Sequence, residues 1–136
     1  MKQLKTPFRL GMHYENWEFD LEVAQDRIQG CDNYIYIGKK LNKFLNYHTD
    51  KTELIFSLDV LEVVILTFTN SNIKFYYELL NAINKSIKSR VNYDKHYLTF
   101  LVSNNLINII YAENTIIVIY GKIRFIQKHL LILQNN

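Results

Sequence analysis

Three runs of apolar, β-branched and aromatic residues, 97–102, 106–111 and 115–120, are separated only by short polar joins carrying Asn104-Asn105 and Glu113-Asn114. Val, Ile, Thr, Tyr and Phe fit a pleated surface, and joins this short suit hairpin turns. A parallel crossover needs about a dozen residues or more, which favours antiparallel pairing of these runs, with Gly121 ending the third. Residues 53–69 have the same character, Glu-Leu-Ile-Phe-Ser-Leu-Asp-Val-Leu-Glu-Val-Val-Ile-Leu-Thr-Phe-Thr. That is long for one strand, since strands run about five or six residues. A turn around 57–59 divides the block into a hairpin; one continuous bent strand is the alternative.

Between these β-rich regions the period changes. Ile73, Tyr76, Tyr77, Leu80, Ile83 and Ile87 recur at three and four, and Asn70-Ser71-Asn72 offers an N-cap, which predicts an amphipathic helix over 72–90. Lys85, Lys88 and Arg90 would then lie where the helix dipole favours cations. The expected fold class is α+β: a mainly antiparallel sheet with one principal helix, about 72–90, packed on one face. At 136 residues, without internal repeats or a Gly-, Ser- or Pro-rich linker, the chain reads as a single domain over 1–136. A chain of this length buries roughly two-thirds of its unfolded surface and needs neither disulfide nor metal to fold.

The N-terminal part is less uniform. Trp17-Glu18-Phe19-Asp20-Leu21-Glu22-Val23 alternates apolar and acidic residues without a miss, which predicts a half-buried strand with a carboxylate-lined outer face. Phe8, Leu10, Met12 and Tyr14 alternate in the opposite parity, so a bulge or tight turn is expected at Glu15-Asn16. Residues 34–37 read as a strand ending at Gly38, 39–48 as a short helix or loop, and 92–95 as a loop. Over 122–133 strand and helix periods compete: Ile123 and Phe125 alternate, whereas Ile126, Leu130, Leu131 and Leu133 fit helical spacing.

Catalytic and cofactor chemistry find little support. His13, His48, His96 and His129 form no pair at metal-ligand spacing, and the lone Cys31 excludes a cysteine-rich zinc site. Gly30 and Asp32 mark Cys31 as a turn residue, and an acidic neighbour raises a thiol pKa. No phosphate loop, Gly-x-Gly-x-x-Gly or Gly-x-Ser-x-Gly element occurs. The expectation is therefore no enzyme, no metal and no cofactor. The N-terminal bases precede no apolar run, so no secretory signal is expected. The most apolar stretch, 97–133, is broken by polar residues well short of the roughly 20 apolar residues of a membrane helix. A cytoplasmic setting without membrane partners is expected.

The formal charge of +3 hides a division. Through Thr69 eight bases face ten acids, a net −2; from Asn70 onward eight bases face three acids, a net +5. Glu18, Asp20 and Glu22, about 7 Å apart along the expected strand, with Glu15 and Asp26 nearby, form the candidate partner-binding set. Aligned carboxylates repel unless a cation or basic partner neutralises them, so they suit a docking face for a basic protein. The plain alternative is a solvated face that protects an edge strand from mispairing. A second site reading uses the tyrosines, Tyr34, Tyr36, Tyr76, Tyr77, Tyr97, Tyr111 and Tyr120, with the basic helix to hold a small ligand or single-stranded nucleic acid. The bases cluster on the helix and tail rather than alternating with tyrosines on one strand, which disfavours nucleic acid. Homo-oligomerisation stays open, because the late strands carry much apolar surface.

The segment Met12-His13-Tyr14-Glu15-Asn16-Trp17-Glu18-Phe19-Asp20-Leu21, with Glu53-Leu54-Ile55-Phe56 and Asp59-Val60-Leu61-Glu62-Val63-Val64-Ile65-Leu66, resembles small bacterial immunity proteins of polymorphic-toxin and contact-dependent-inhibition systems. The resemblance implies a single cytoplasmic domain without catalytic machinery that occludes the active site or substrate surface of a cognate toxin. It brings no catalytic motif to carry over. In that setting Glu18, Asp20 and Glu22 would stand in for substrate phosphates of a nuclease with a basic cleft, with Glu15 and Asp26 at the rim.

Overall fold

The computed structural model describes residues 6–86, 90–94, 97–102 and 105–126. Its strands are β1 (Leu21–Ala24), β2 (Asp32–Tyr36), β3 (Lys43–Phe44), β4 (Tyr47–His48), β5 (Lys51–Ser57), β6 (Val60–Phe68), β7 (Arg90–Asp94), β8 (Tyr97–Val102), β9 (Asn105–Ala112) and β10 (Thr115–Lys122), and its principal α-helix is α1 (Ile73–Ser86). Eight strands form one antiparallel sheet in the order β1-β2-β5-β6-β10-β9-β8-β7, and β3–β4 is a separate hairpin. The chain builds one half outward-in from β1 to β6, then α1 carries it to the far edge. From there β7 to β10 return to pair with β6, so the two halves join at the centre. The expected α+β class holds.

Of the two readings of 53–69 the hairpin is the one that forms, and the expected helix forms over Ile73–Ser86. The 53–69 block turns at Leu58-Asp59, whose φ values of 50° and 65° make a two-residue type I′ connection. Leu45-Asn46 and Glu113-Asn114 turn in the same way. The Asn72 carboxamide oxygen accepts the Phe75 N–H at 2.8 Å, capping α1.

Four expectations are corrected. Arg90 belongs to β7 rather than the helix, residues 92–94 are strand rather than loop, and within 39–48 the short strands β3 and β4 form a hairpin. Residues 18–20 form a 3₁₀ turn, so only 21–23 of the alternating run are strand. Of the ambiguous 122–133 stretch, Lys122 ends β10 and 123–126 are helical; 127–133 lie outside the described residues, as does Ile87.

Each sheet face has its own core. Tyr76, Leu79 and Ile83 of α1 bury against Phe68, Ile107, Ile109, Ile116 and Val118. On the opposite face Ile28, Cys31, Phe125 and Ile126 cover Ile55, Val63, Ile65 and Ile119. The β5–β6 ladder shifts register between Ile55 and Phe56, leaving Glu62 as the extra residue of a bulge. Gly121 sits opposite Val63, where a Cβ would come within 2.5 Å of the Glu62 carbonyl oxygen, so this close crossing of β6 and β10 requires glycine.

Candidate interaction edge and the cleft beside it

The run that reads as one strand is built as two 3₁₀ turns, Tyr14–Asn16 and Glu18–Asp20, followed by the short β1. Backbone bonds Trp17 N–H to Tyr14 O (3.0 Å) and Asp20 N–H to Trp17 O (2.8 Å) close the turns. Trp17 turns inward against Phe8 (ring centroids 5.5 Å apart) and Phe56 (6.3 Å). With three residues per turn, Phe19 cannot share the direction of Trp17, and it is 91% exposed. Val23, expected inside, is 79% exposed. The alternation is real in sequence, but tertiary packing uses only Trp17 and Leu21 of its apolar set.

The candidate acids are consequently distributed rather than aligned. Glu15 lies on the first turn, Glu18 and Asp20 on the second, Glu22 in β1 and Asp26 in the loop beyond it, all exposed. Among the described residues none of the five forms an ion pair. The structure adds two acids that sequence reading passed over. Burial raises the Tyr34 pKa, and Tyr14 and the charges of Asp32, Asp59 and Asp26 raise it further. Tyr34 itself packs against Tyr14 (5.2 Å) and Phe56 (5.7 Å) and sits directly opposite Val23. Asp32 could have been found from its period-two relation to Tyr34; Asp59 needed the hairpin turn to bring it near.

Among the described residues β1 is an edge strand, paired with β2 alone. The Ile37 N–H donates to Asp20 O at 2.8 Å, one step beyond the Leu21–Tyr36 pair. Because hydrogen-bonded and non-bonded pairs alternate in an antiparallel ladder, Glu22 and Ala24 bond to β2, and the N–H and C=O groups of Leu21 and Val23 point off the sheet. Among the described residues this edge therefore has no second strand partner, and it carries two exposed apolar side chains and acids that form no ion pair.

Just inside this edge an acid has the opposite fate. Glu53 of β5, 2% exposed, receives Arg27 Nε at 2.7 Å and Nη2 at 3.1 Å, and Asn33 Nδ2 at 3.0 Å; Lys51 Nζ stands 3.9 Å away. Burial alone would raise the Glu53 carboxyl pKa, but the hydrogen bonds from Arg27 and Asn33 and the charges of Arg27 and Lys51 outweigh it and hold the group below its ordinary value. Asn33 Nδ2 also donates to Gln25 O at 3.0 Å, so the loop after β1 is fastened to β2 and β5. These groups line a cleft of about 450 Å³, whose rim includes Asp26 and Lys51.

Among the described residues the tyrosine set is not assembled into one platform, although Tyr76 stacks on Tyr111 (5.3 Å) and meets Tyr77 (5.8 Å). Tyr36, Tyr76 and Tyr120 are buried, and Tyr77 is exposed on α1. Tyr120 instead donates its hydroxyl proton to Phe8 O at 2.9 Å and accepts the Phe8 N–H at 3.2 Å, stapling the N-terminal segment to β10. No His/Cys/Asp/Glu group able to hold a metal forms among the described residues. None of their helices is long and apolar enough to cross a membrane.

No protein-family model matches the chain, and comparison with curated proteins finds no match. Among solved structures the chain is similar to a GTP-binding regulator from Thermotoga maritima, with a TM-score of 0.51 at 10% identity over 84% of this chain and 76% of that one. At this identity the likeness is one of fold alone.

Proposed function

We propose that this chain is a cytoplasmic immunity protein that binds one basic toxin domain and neutralises it by covering its active site or substrate surface. The observation that supports the reading is the β1 edge: Phe19 and Val23 stand in water among Glu15, Glu18, Asp20, Glu22 and Asp26, none of them ion-paired among the described residues. Aromatic and apolar anchors supply binding energy in interfaces of this kind, and complementary charge speeds encounter and rejects wrong partners. A nuclease fits as the target because its phosphate-binding cleft is basic, and carboxylates can occupy the positions of substrate phosphates. The second reading, a small-ligand or nucleic-acid module using the tyrosines and the basic helix, has less support because Tyr36, Tyr76 and Tyr120 are engaged in the interior.

The test asks whether a neighbouring reading frame encodes a toxin domain and whether this chain restores survival on co-expression with it. Protection is expected from the native chain and lost on combined Glu18→Lys, Asp20→Lys and Glu22→Lys. Undiminished protection by that variant, or no protection by the native chain, overturns the proposal.

A further inference from the structure

The open edge carries more information than its charge, because its backbone groups have a direction and its side chains have a phase. Resting on the immunity reading, we infer that the partner engages β1 by strand addition: an extended segment of the toxin pairs antiparallel with Leu21–Ala24 and continues the sheet. Leu21 and Val23 direct their N–H and C=O groups outward, as the Ile37–Asp20 bond and the β1–β2 register require. Partner residues directly opposite them share their sheet face, the one that carries Tyr34, and would be apolar. The partner residue opposite Glu22 falls on the other face, in a non-hydrogen-bonded pair with Cα atoms about 4.5 Å apart. A Lys or Arg there meets the carboxylate at short range. The occupant is therefore a strand that alternates basic and apolar residues, with Phe19 as an additional anchor beyond the end of β1.

The same geometry disfavours two of the registers in which a second copy of this chain could pair. Antiparallel self-pairing centred on Glu22 sets Glu22 against Glu22 of the other copy. Centring on Leu21 sets Glu22 against Asp20. Like charges directly opposite each other destabilise a strand pair, so these two registers are disfavoured; centring on Val23 sets Glu22 against Ala24 and brings no such clash, but it also lacks the charge pairing that a basic strand supplies.

The experiment titrates the full chain, by amide NMR and hydrogen exchange, with a short capped peptide alternating Lys with Val and Tyr. The expected result is shifts and exchange protection at the Leu21 and Val23 amides, with no effect from the same peptide carrying Glu for Lys. Backbone N-methylation on the Val and Tyr residues, whose N–H groups would face β1, should weaken binding about tenfold, as loss of one or two hydrogen bonds does. Methylation on the Lys residues should leave it unchanged. Equal binding by both methylated peptides overturns strand addition while leaving the charge-based reading standing. Absence of any shift at Leu21 and Val23, or sedimentation showing self-association through β1, also overturns it. Survival in the co-expression assay decides the immunity reading separately.

Discussion

Glu22 and Glu53 lie in one row across the sheet, Glu22 opposite Ile35 and Ile35 opposite Glu53, so all three side chains share a face. Their environments differ completely. Two strands in from the edge, Glu53 is enclosed and takes hydrogen bonds from Arg27 and Asn33; at the edge, Glu22 is exposed and forms no ion pair among the described residues. The inner carboxylate is a fastening: it ties the loop after β1 to the sheet and thereby fixes where the edge stands. The outer one contributes nothing visible to the fold. Acids of the same type in the same row thus separate into one the protein uses internally and one available to a partner.

The largest break in this comparison is Glu53→Ala. It removes the acceptor of Arg27 Nε and Nη2 and one of the two acceptors of Asn33 Nδ2, which keeps its bond to Gln25 O. Because Arg27 is about one-third exposed, water offsets part of the cost, and a loss of about 2–4 kcal/mol is expected in urea unfolding. The pH dependence carries the same signature with a definite sign. Glu53 binds its proton less readily in the folded chain than in the unfolded one. Its contribution is therefore complete above the ordinary value of 4.5 and disappears as pH falls through the lower folded value. Glu53→Gln should flatten that acid limb in thermal melts; an unchanged limb would show that Glu53 is not the fastening described.

Tyr120→Phe comes next. It removes the hydroxyl that both accepts the Phe8 N–H and donates to the Phe8 carbonyl, and about 1–2 kcal/mol should be lost. Phe8 packs against Trp17, which anchors the 3₁₀ turns ahead of β1. Exchange protection in those turns should therefore fall even though Tyr120 is on β10, sharpening the view that the edge is held from inside. Equal protection in the variant would break it.

What was legible in sequence follows the strength of local signals. The β8, β9 and β10 runs, the 53–69 hairpin and the Asn72 cap are specified by β-branched runs, short joins and one capping side chain, all local. The N-terminal run misled for a tertiary reason. A period-two pattern of apolar and acidic residues satisfies a 3₁₀ turn as well as a strand once Trp17 has a pocket between Phe8 and Phe56, and no local rule reveals that pocket. The β3–β4 hairpin was hidden because Leu45-Asn46 is not a strong turn pair and Lys43–Phe44 has no β-branched residue. The candidate acids could be read, but not their arrangement, and the Asp32–Asp59 flank of Tyr34 exists only once β5 and β6 turn back.

The smallest expected effect on stability is the most informative about the edge. Combined Glu18→Lys, Asp20→Lys and Glu22→Lys should change unfolding free energy by no more than about 0.5 kcal/mol, the usual range for exposed positions away from caps and buried pairs. Removing an acidic cluster can even relieve repulsion, so a slight gain agrees with the comparison. Binding of a basic partner should fall sharply, chiefly through a slower on-rate, and the native chain's advantage should shrink as salt rises and screens charges beyond a Debye length of about 8 Å. If the variant instead unfolds as readily as Glu53→Ala, the edge acids are structural after all, and the distinction between the outer and inner carboxylates of the row disappears.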